Sequence, residues 1–357
     1  MNNYQSDNNK KLVPTVPDLH DTNLSAALLR ALDNKTKPVG ALGRLEALAL
    51  RIGQVLGSTE PRFVAPQMLV CAGDHGLAAR GVSAYPSDVT WQMVHNFLQG
   101  GAAVSVLARQ HGLALSVVDC GVRHDFEPQP GLLIRKVAPG TADALSGPAM
   151  SMAQCEQAIE NGRAIVRGLP GNVLLLGEMG IGNTSAASML LSRLCAIALD
   201  ACIGSGTGLD SAGLARKQAV LAEVLALHGQ ARSPIEALAA FGGFEIATLV
   251  GAVLEAALQR RVIVVDGFIT GAAVLVAHAL QPHVVQRCVA SHESAEPGHA
   301  LLLRHLGLAP LLRLDLRLGE GSGAALAWPL LESASRILCE MASFEAAGVS
   351  RKEDGTA

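Results

Sequence analysis

The stretch Asn172–Leu191 reads NVLLLGEMGIGNTSAASMLL, an apolar run, a glycine-rich loop and then a small-residue helical pattern. The run Val173–Leu176 is continuously apolar rather than alternating, which fits a strand covered on both faces, as in a parallel sheet. The glycines at 177, 180 and 182 punctuate the run before a helix can start at NTSAASMLL. Strand, loop and helix in this order form one half of a βαβ unit.

The same alternation recurs along the chain. Strands are expected at Gln67–Gly73, Ala114–Gly121, Asn172–Gly177, Arg261–Gly267, Gln286–Ser291 and Leu312–Leu318, and helices between them at Met152–Gly168, Ser211–Leu227 and Glu245–Gln259. This predicts an α/β fold, a mostly parallel, Rossmann-like sheet flanked by helices. Leu24–Leu56 and Gly323–Met341 read as helical without strands of their own, so the two chain ends are expected to form a smaller helical domain. The expected division is a disordered segment over 1–20, helices over 21–60, a large α/β catalytic domain over 61–322, and the second helical part with a tail over 323–357.

Composition excludes several classes of function. The chain has 357 residues, 50% of them hydrophobic, only 3% aromatic, and 37 glycines, so its core is built from Ala, Leu and Val with many tight turns. A net charge of -3, no basic run, and only two Trp and two Tyr give no footprint for nucleic acid. The N-terminal MNNYQSDNNKKLVPTVPDLHDTN lacks the apolar core of a signal peptide, and GFITGAAVLVAHAL is too short to span a bilayer. A cytoplasmic protein with no membrane partner is therefore expected. The seven cysteines contain no C-x-x-C pair and read as buried thiols rather than a disulfide frame or zinc site.

Acids gather at the expected strand ends: Asp74, Asp119, Glu178, Asp266 and Glu320, most with a glycine beside them. In an open parallel sheet, ligands bind outside the carboxyl ends of the strands, so these acids point to one shared crevice. Glu320 lies in LLRLDLRLGEGSGAALAWPLLESA (Leu311–Ala334), where leucines alternate with charges up to Leu318 and small apolar residues run on from Gly323. That places Glu320 on a strand-to-helix turn between two glycines, where backbone N–H groups are free and a ligand can approach closely.

Three motif readings are weighed at these ends. GEMGIGNT (Gly177–Thr184) has P-loop spacing, but Asn183 stands where the lysine that bridges triphosphate oxygens is required, so a cradle for a single phosphate remains. GEGSGA (Gly319–Ala324) fits a dinucleotide fingerprint, yet the chain beyond Ala324 reads as helix and tail, with no second strand to carry a ribose-binding acid. SHESAEPGH (Ser291–His299) offers His292, Glu296 and His299, with His75 elsewhere, as metal ligands. Pro297 interrupts any helix that would align them, so a polar loop lining the site is expected instead.

Taken together, KPVGALGRLEALA, AGDHGLAARGVSAYPSDVTWQ, GEMGIGNTSAAS, GSGTGLDSAGLARK, FGGFEIATLVGA, VDGFITGAAVL, SHESAEPGH and LGEGSGAALAWPLLESA resemble the signature blocks of the nicotinate-nucleotide:dimethylbenzimidazole phosphoribosyltransferases, in family order from Lys37 to Ala334. The resemblance implies transfer of the phosphoribosyl group of nicotinate mononucleotide to 5,6-dimethylbenzimidazole or a related azole, without cofactor or metal, by a homodimer. It makes Glu320 the general base and sets Glu178 beside the ribose or the developing cation. It gives Gly180, Gly182, Asn183, Thr184 and Lys217 to the 5′-phosphate, and Gln92 to the benzimidazole. Ser83, Tyr85, Gly206, Asp266 and Ser291 are the further substrate-binding residues it implies.

Overall fold

In the computed structural model, which describes residues 12–206 and 208–350, six parallel strands form one sheet in the order β3-β2-β1-β4-β5-β6. They are β1 (Gln67–Gly73), β2 (Ala114–Gly121), β3 (Leu132–Ile134), β4 (Val173–Met179), β5 (Val262–Val265) and β6 (Cys288–Ala290). The α/β expectation holds: β1 and β4 are buried along almost their whole length, as their continuous apolar runs require. From β1 the chain winds outward through β2 and β3, then returns to β4 on the other side of β1 and winds outward again. The crevice between the ends of β1 and β4 is therefore the topological switch point of the sheet.

Helices cover both faces. The labelled ones are α1 (Thr22–Asp33), α2 (Arg44–Leu56), α3 (Val89–Gln99), α4 (Ala103–His111), α5 (Met152–Gly168), α6 (Asn183–Cys195), α7 (Ser211–Leu227), α8 (Pro234–Phe241), α9 (Phe244–Leu258), α10 (Phe268–Leu280), α11 (Pro297–Leu306) and α12 (Ser322–Glu340). On one face, Leu69, Cys71, Leu174 and Leu176 pack with α5, α9 and α10. On the other, Met68, Val70, Val173 and Leu175 pack with α2, α3, α4 and α12. α9 is apolar on every side apart from Glu245 and Glu255 and buried nearly throughout, so it lies between the sheet and α5. Gly162 and Gly251 make that crossing close: a Cβ on either would run into the backbone of the facing helix, at Thr248 and Ile159 respectively.

The helices of the two chain ends meet. Lys35 and Ser343 form an antiparallel bridge, Thr36 N–H donates to Ala342 O at 3.1 Å, and Phe344 N–H donates to Asn34 O at 3.0 Å. Their buried residues, Leu28, Ile52, Trp328 and Leu331 among them, share one core with the sheet face rather than closing a core of their own.

Four readings of the sequence differ from the structure. The alternating run Leu312–Leu318 forms a strand only at Leu312–Arg313 (β8), which pairs with His292–Glu293 (β7) in a separate two-stranded sheet. Asp315 takes a left-handed φ of 53° and ends the extended path, leaving Leu314 52% and Leu318 57% exposed. β3 was not anticipated, because three residues in a Pro- and Gly-flanked loop give too short a signal. Glu178 lies inside β4, not after it. The disorder expected over 1–20 does not extend across 12–20: Val16 and Leu19 are buried, Leu19 N–H donates to Gln286 Oε1 at 2.9 Å, and Arg287 donates to Pro17 O at 2.6 Å. Residues 1–11 lie outside the described residues.

Candidate active site

A cavity of about 710 Å³ opens at the carboxyl ends of β4 and β5. The glycine-rich loop after β4 forms its floor. Gly180 presses against Gly73 O at the end of β1, where a side chain would not fit, and Gly182 takes a left-handed φ of 93° just before α6 begins. Gly180, Asn183 and Thr184 line the cavity, and the loop presents the N-terminus of α6, a buried helix in whose first turn Asn183 N–H donates to Gly180 O at 3.1 Å and Ser185 N–H to Gly182 O at 3.0 Å. The Asn183 amide is turned to Glu178, to which it donates a hydrogen bond.

Lys217 completes this end. Its side chain comes from α7 and is fully buried; Nζ donates to Thr184 Oγ1 at 2.8 Å and to Gly204 O at 3.3 Å. Desolvation pushes the ammonium down to about 8, against the nearby Glu296 carboxylate, which favours its charge. Gly206, at a left-handed φ of 55°, brings the backbone against Thr184 and Lys217, and Arg317 donates to its carbonyl at 3.4 Å. Glu296 Oε2 is buried without a hydrogen-bond partner.

The opposite wall is acidic. Gly319, Glu320 and Gly321 have φ values of 80°, 66° and 90°, so three consecutive left-handed residues turn the chain into α12. Glu320 is a non-glycine residue in this region, a conformation that costs about 1 kcal/mol and persists only where the surroundings hold it. Its carboxyl group lies in the cavity wall, receives a hydrogen bond from Val104 N–H at the start of α4, and leaves Oε2 buried and unpartnered. Desolvation pushes it up to about 7. Glu178 is pushed up to about 8 by desolvation and then by the charges of Asp266, Glu245 and Glu320, against the Asn183 hydrogen bond.

Other residues singled out in the sequence fall in different places. Tyr85 lines the mouth of the cavity and is 54% exposed; Ser83 Oγ accepts its N–H at 3.3 Å. Gln92 is exposed on α3 and does not line the cavity, whereas Val89 and Met93 of the same helix do. Asp266 and Ser291 are buried behind the wall. The Asp266 carboxylate accepts backbone N–H groups of Gly321 and Ala324, and Ser291 Oγ donates to Asp266 O at 3.2 Å. Of the proposed metal ligands, His292 lines the cavity and shares a 2.9 Å hydrogen bond with Ser291, while His299 Nδ1 accepts Ser294 N–H at 2.8 Å. Desolvation lowers both imidazoles, to about 4 and about 3, so both are neutral. Among the described residues no group of three or more His, Cys, Asp or Glu is arranged to hold a metal ion.

Sequence reasoning missed Glu245 and the roles of Glu296 and Arg317. Glu245, at the start of α9, meets His75 Nε2 at 2.6 Å beneath the glycine-rich loop. Burial opposes a charge on His75, but the Glu245 carboxylate and its hydrogen bond prevail and raise the imidazole above its ordinary range. The available signal was an acid in the first turn of a largely apolar helix, FEIATLVGAVLEAAL, right after two glycines.

Comparison with known proteins agrees with this architecture. A family model described as phosphoribosyltransferase matches residues 18–349. Nicotinate-nucleotide--dimethylbenzimidazole phosphoribosyltransferase of Variovorax paradoxus is 75% identical over 96% of this chain and 98% of that protein. The protein of the same name from Dechloromonas aromatica is 57% identical over 93% of this chain and 97% of its own. The crystal structure of CobT from Thermus thermophilus superposes with a TM-score of 0.89 at 44% identity, covering 92% of this chain and all of that one. Identity at this level over nearly the whole length of both chains, with the family model matching residues 18–349, leaves one assignment: the chain belongs to the nicotinate-nucleotide--dimethylbenzimidazole phosphoribosyltransferase family.

Proposed function

We propose that the chain transfers the 5-phosphoribosyl group of nicotinate mononucleotide to 5,6-dimethylbenzimidazole, giving α-ribazole 5′-phosphate and nicotinate, in assembly of the cobalamin nucleotide loop. The observation that carries the reading is the unpartnered, buried Oε2 of Glu320 in the same cavity as the glycine-rich loop and Thr184, with Lys217 directly behind Thr184.

In this reading the loop amides and Thr184 hold the 5′-phosphate, and Lys217 supplies charge through the Thr184 hydroxyl. An azole nitrogen attacks C1′ on the face opposite nicotinate. The N-glycosidic pair returns to the pyridinium nitrogen, so the leaving group needs no general acid, and configuration inverts from β to α. The azole N–H proton passes to Glu320. A carboxyl group held near 7 by desolvation is well matched to that transfer at neutral pH. Glu178 and Glu320 stand in the same cavity, and the positive charge that develops on the ribose favours the ionised form of both, including Glu178, which otherwise keeps its proton to about 8. Val89, Met93, Leu316 and Leu318 supply an apolar wall suited to a dimethylated aromatic ring.

A homodimer is part of the proposal. Tyr85 and Leu318 at the cavity mouth, with Leu314 beside them, are the exposed apolar residues that support it. A cytoplasmic location is also part of the proposal; no helix among the described residues is long and apolar enough to cross a membrane.

Incubation with nicotinate mononucleotide and a panel of azoles, with products identified by mass and the anomeric configuration by NMR, tests the reading. Formation of α-ribazole 5′-phosphate with release of one nicotinate per turnover is expected; binding of the nucleotide without nicotinate release would overturn it.

A further inference from the structure

The helix that follows Glu320 begins without a cap of its own. Gly321 occupies the N-cap of α12 and offers no side chain to the first-turn amides. Those amides are answered instead from another strand. Asp266, which follows β5, places Oδ1 2.9 Å from Ala324 N and Oδ2 3.2 Å from Gly321 N, across 58 and 55 residues of chain. Gly323 N–H also interacts with this carboxylate. Asp266 is itself almost wholly buried and does not line the cavity, so its oxygens are aimed at the helix start rather than at a ligand. Its own carbonyl is held by Ser291 Oγ at 3.2 Å, which fixes the residue from behind.

We infer that Asp266 is a positioning residue for Glu320: by gripping the amides on the C-terminal side of the three-residue left-handed turn, it sets where the Glu320 carboxyl group stands in the cavity. This rests on the proposed role of Glu320 as base. The turn runs Gly319-Glu320-Gly321, each at positive φ, and Gly321 N–H is the first group after Glu320 that is bonded outside the turn and helix. Val104 N–H holds the carboxyl end of the side chain, and Asp266 holds the backbone end. An aspartate suits the position because both of its oxygens accept; an asparagine would turn an NH₂ toward one of the N–H groups.

The test is a double-mutant cycle between Asp266→Asn and Glu320→Gln, with kcat and KM measured for each. Asp266→Asn is expected to lower kcat by about 10²-fold, the scale of a misplaced reacting group, with KM for nicotinate mononucleotide near the wild-type value. Added to Glu320→Gln, it should cost little more, because the group it positions has already lost its function. A raised nucleotide KM with unchanged kcat would make Asp266 a substrate contact and overturn the inference. So would losses that multiply in the double variant. If Glu320→Gln alone turns over normally, the proposed base fails. If Glu320→Gln is impaired while Asp266→Asn is not, only the positioning role fails. Should Asp266→Asn not fold, amide exchange in the wild-type protein decides: Gly321 and Ala324 should be as protected as the middle of α12, and fast exchange at either would overturn the inference.

Discussion

Oε1 of Glu178 stands against Gly319, the residue before Glu320, so closely that a Cβ at Gly319 would overlap it. Glu178 and Glu320 therefore reach the cavity from different segments, β4 and the turn into α12, and a side chain at 319 would push the Glu178 carboxyl group aside. Gly177 does the same from the other side, since a Cβ there would strike the Glu320 carbonyl. The acidic wall depends on this close backbone contact as much as on the carboxylates.

Gly319→Ala tests that contact. The substitution puts a side chain at a φ of 80° and against Glu178, so it should destabilise the protein by about 1–3 kcal/mol and displace either Glu178 or the Glu320 turn. Turnover should fall far more than stability, as read by kcat beside a denaturant midpoint. Wild-type kcat in a destabilised but folded variant would show that the spacing of the two acids is unimportant.

Glu320→Gln keeps the shape of the side chain and removes its capacity to accept a proton. A drop in kcat of about 10²–10⁴-fold is expected, with nucleotide affinity by calorimetry retained. The loss should shrink for azoles whose N–H is more acidic. Near-normal turnover on dimethylbenzimidazole would assign the proton to Glu178 or to water.

Lys217→Ala removes the buried ammonium behind Thr184. A charge-assisted hydrogen bond contributes about 1.5–3 kcal/mol, so the KM for nicotinate mononucleotide should rise by about 10- to 100-fold while azole binding changes little. An unchanged nucleotide KM removes Lys217 from the phosphate site.

The pH dependence of activity and of stability should run in opposite directions. Glu320 acts as base only when ionised, so kcat should rise with pH through about 7. For folding the sign is reversed. Desolvation raises Glu320 to about 7 and Glu178 to about 8, so the native state holds protons that the unfolded chain has already lost. Their contribution to stability is full below the ordinary carboxyl range near 4.5 and is lost as pH rises toward 7 to 8. Denaturant midpoints measured from pH 5 to pH 8.5 should fall, and Glu178→Gln should flatten the fall. A midpoint that climbs over this interval would show that Glu178 and Glu320 are not held protonated.

The parallel sheet was legible in the chain because Met68–Gly73 and Val173–Leu176 must bury both faces, and that requirement writes itself as unbroken apolar runs, while Ala114–Gly121 is buried only from Val117 on. The glycine-rich loop and the acids at strand ends were legible for a similar local reason, since tight turns and backbone approach demand glycine whatever surrounds them. What local pattern could not carry was direction and partnership. The alternation through Leu318 looks like a strand, yet Leu314 and Leu318 are left half exposed, Leu318 at the cavity wall, because no neighbouring strand extends past Arg313 to pair with them. Asp266 and Glu320 both read as acids at strand ends, but Glu320 points into the cavity and Asp266 back onto the helix start. That choice depends on which amides arrive from 55 residues away. His75 and Glu245 are 170 residues apart, and their pairing exists only because α9 begins beneath the end of β1. Sequence specifies which groups a segment must bury or leave free; the meeting of segments decides which of those groups satisfy one another and which remain open to a substrate.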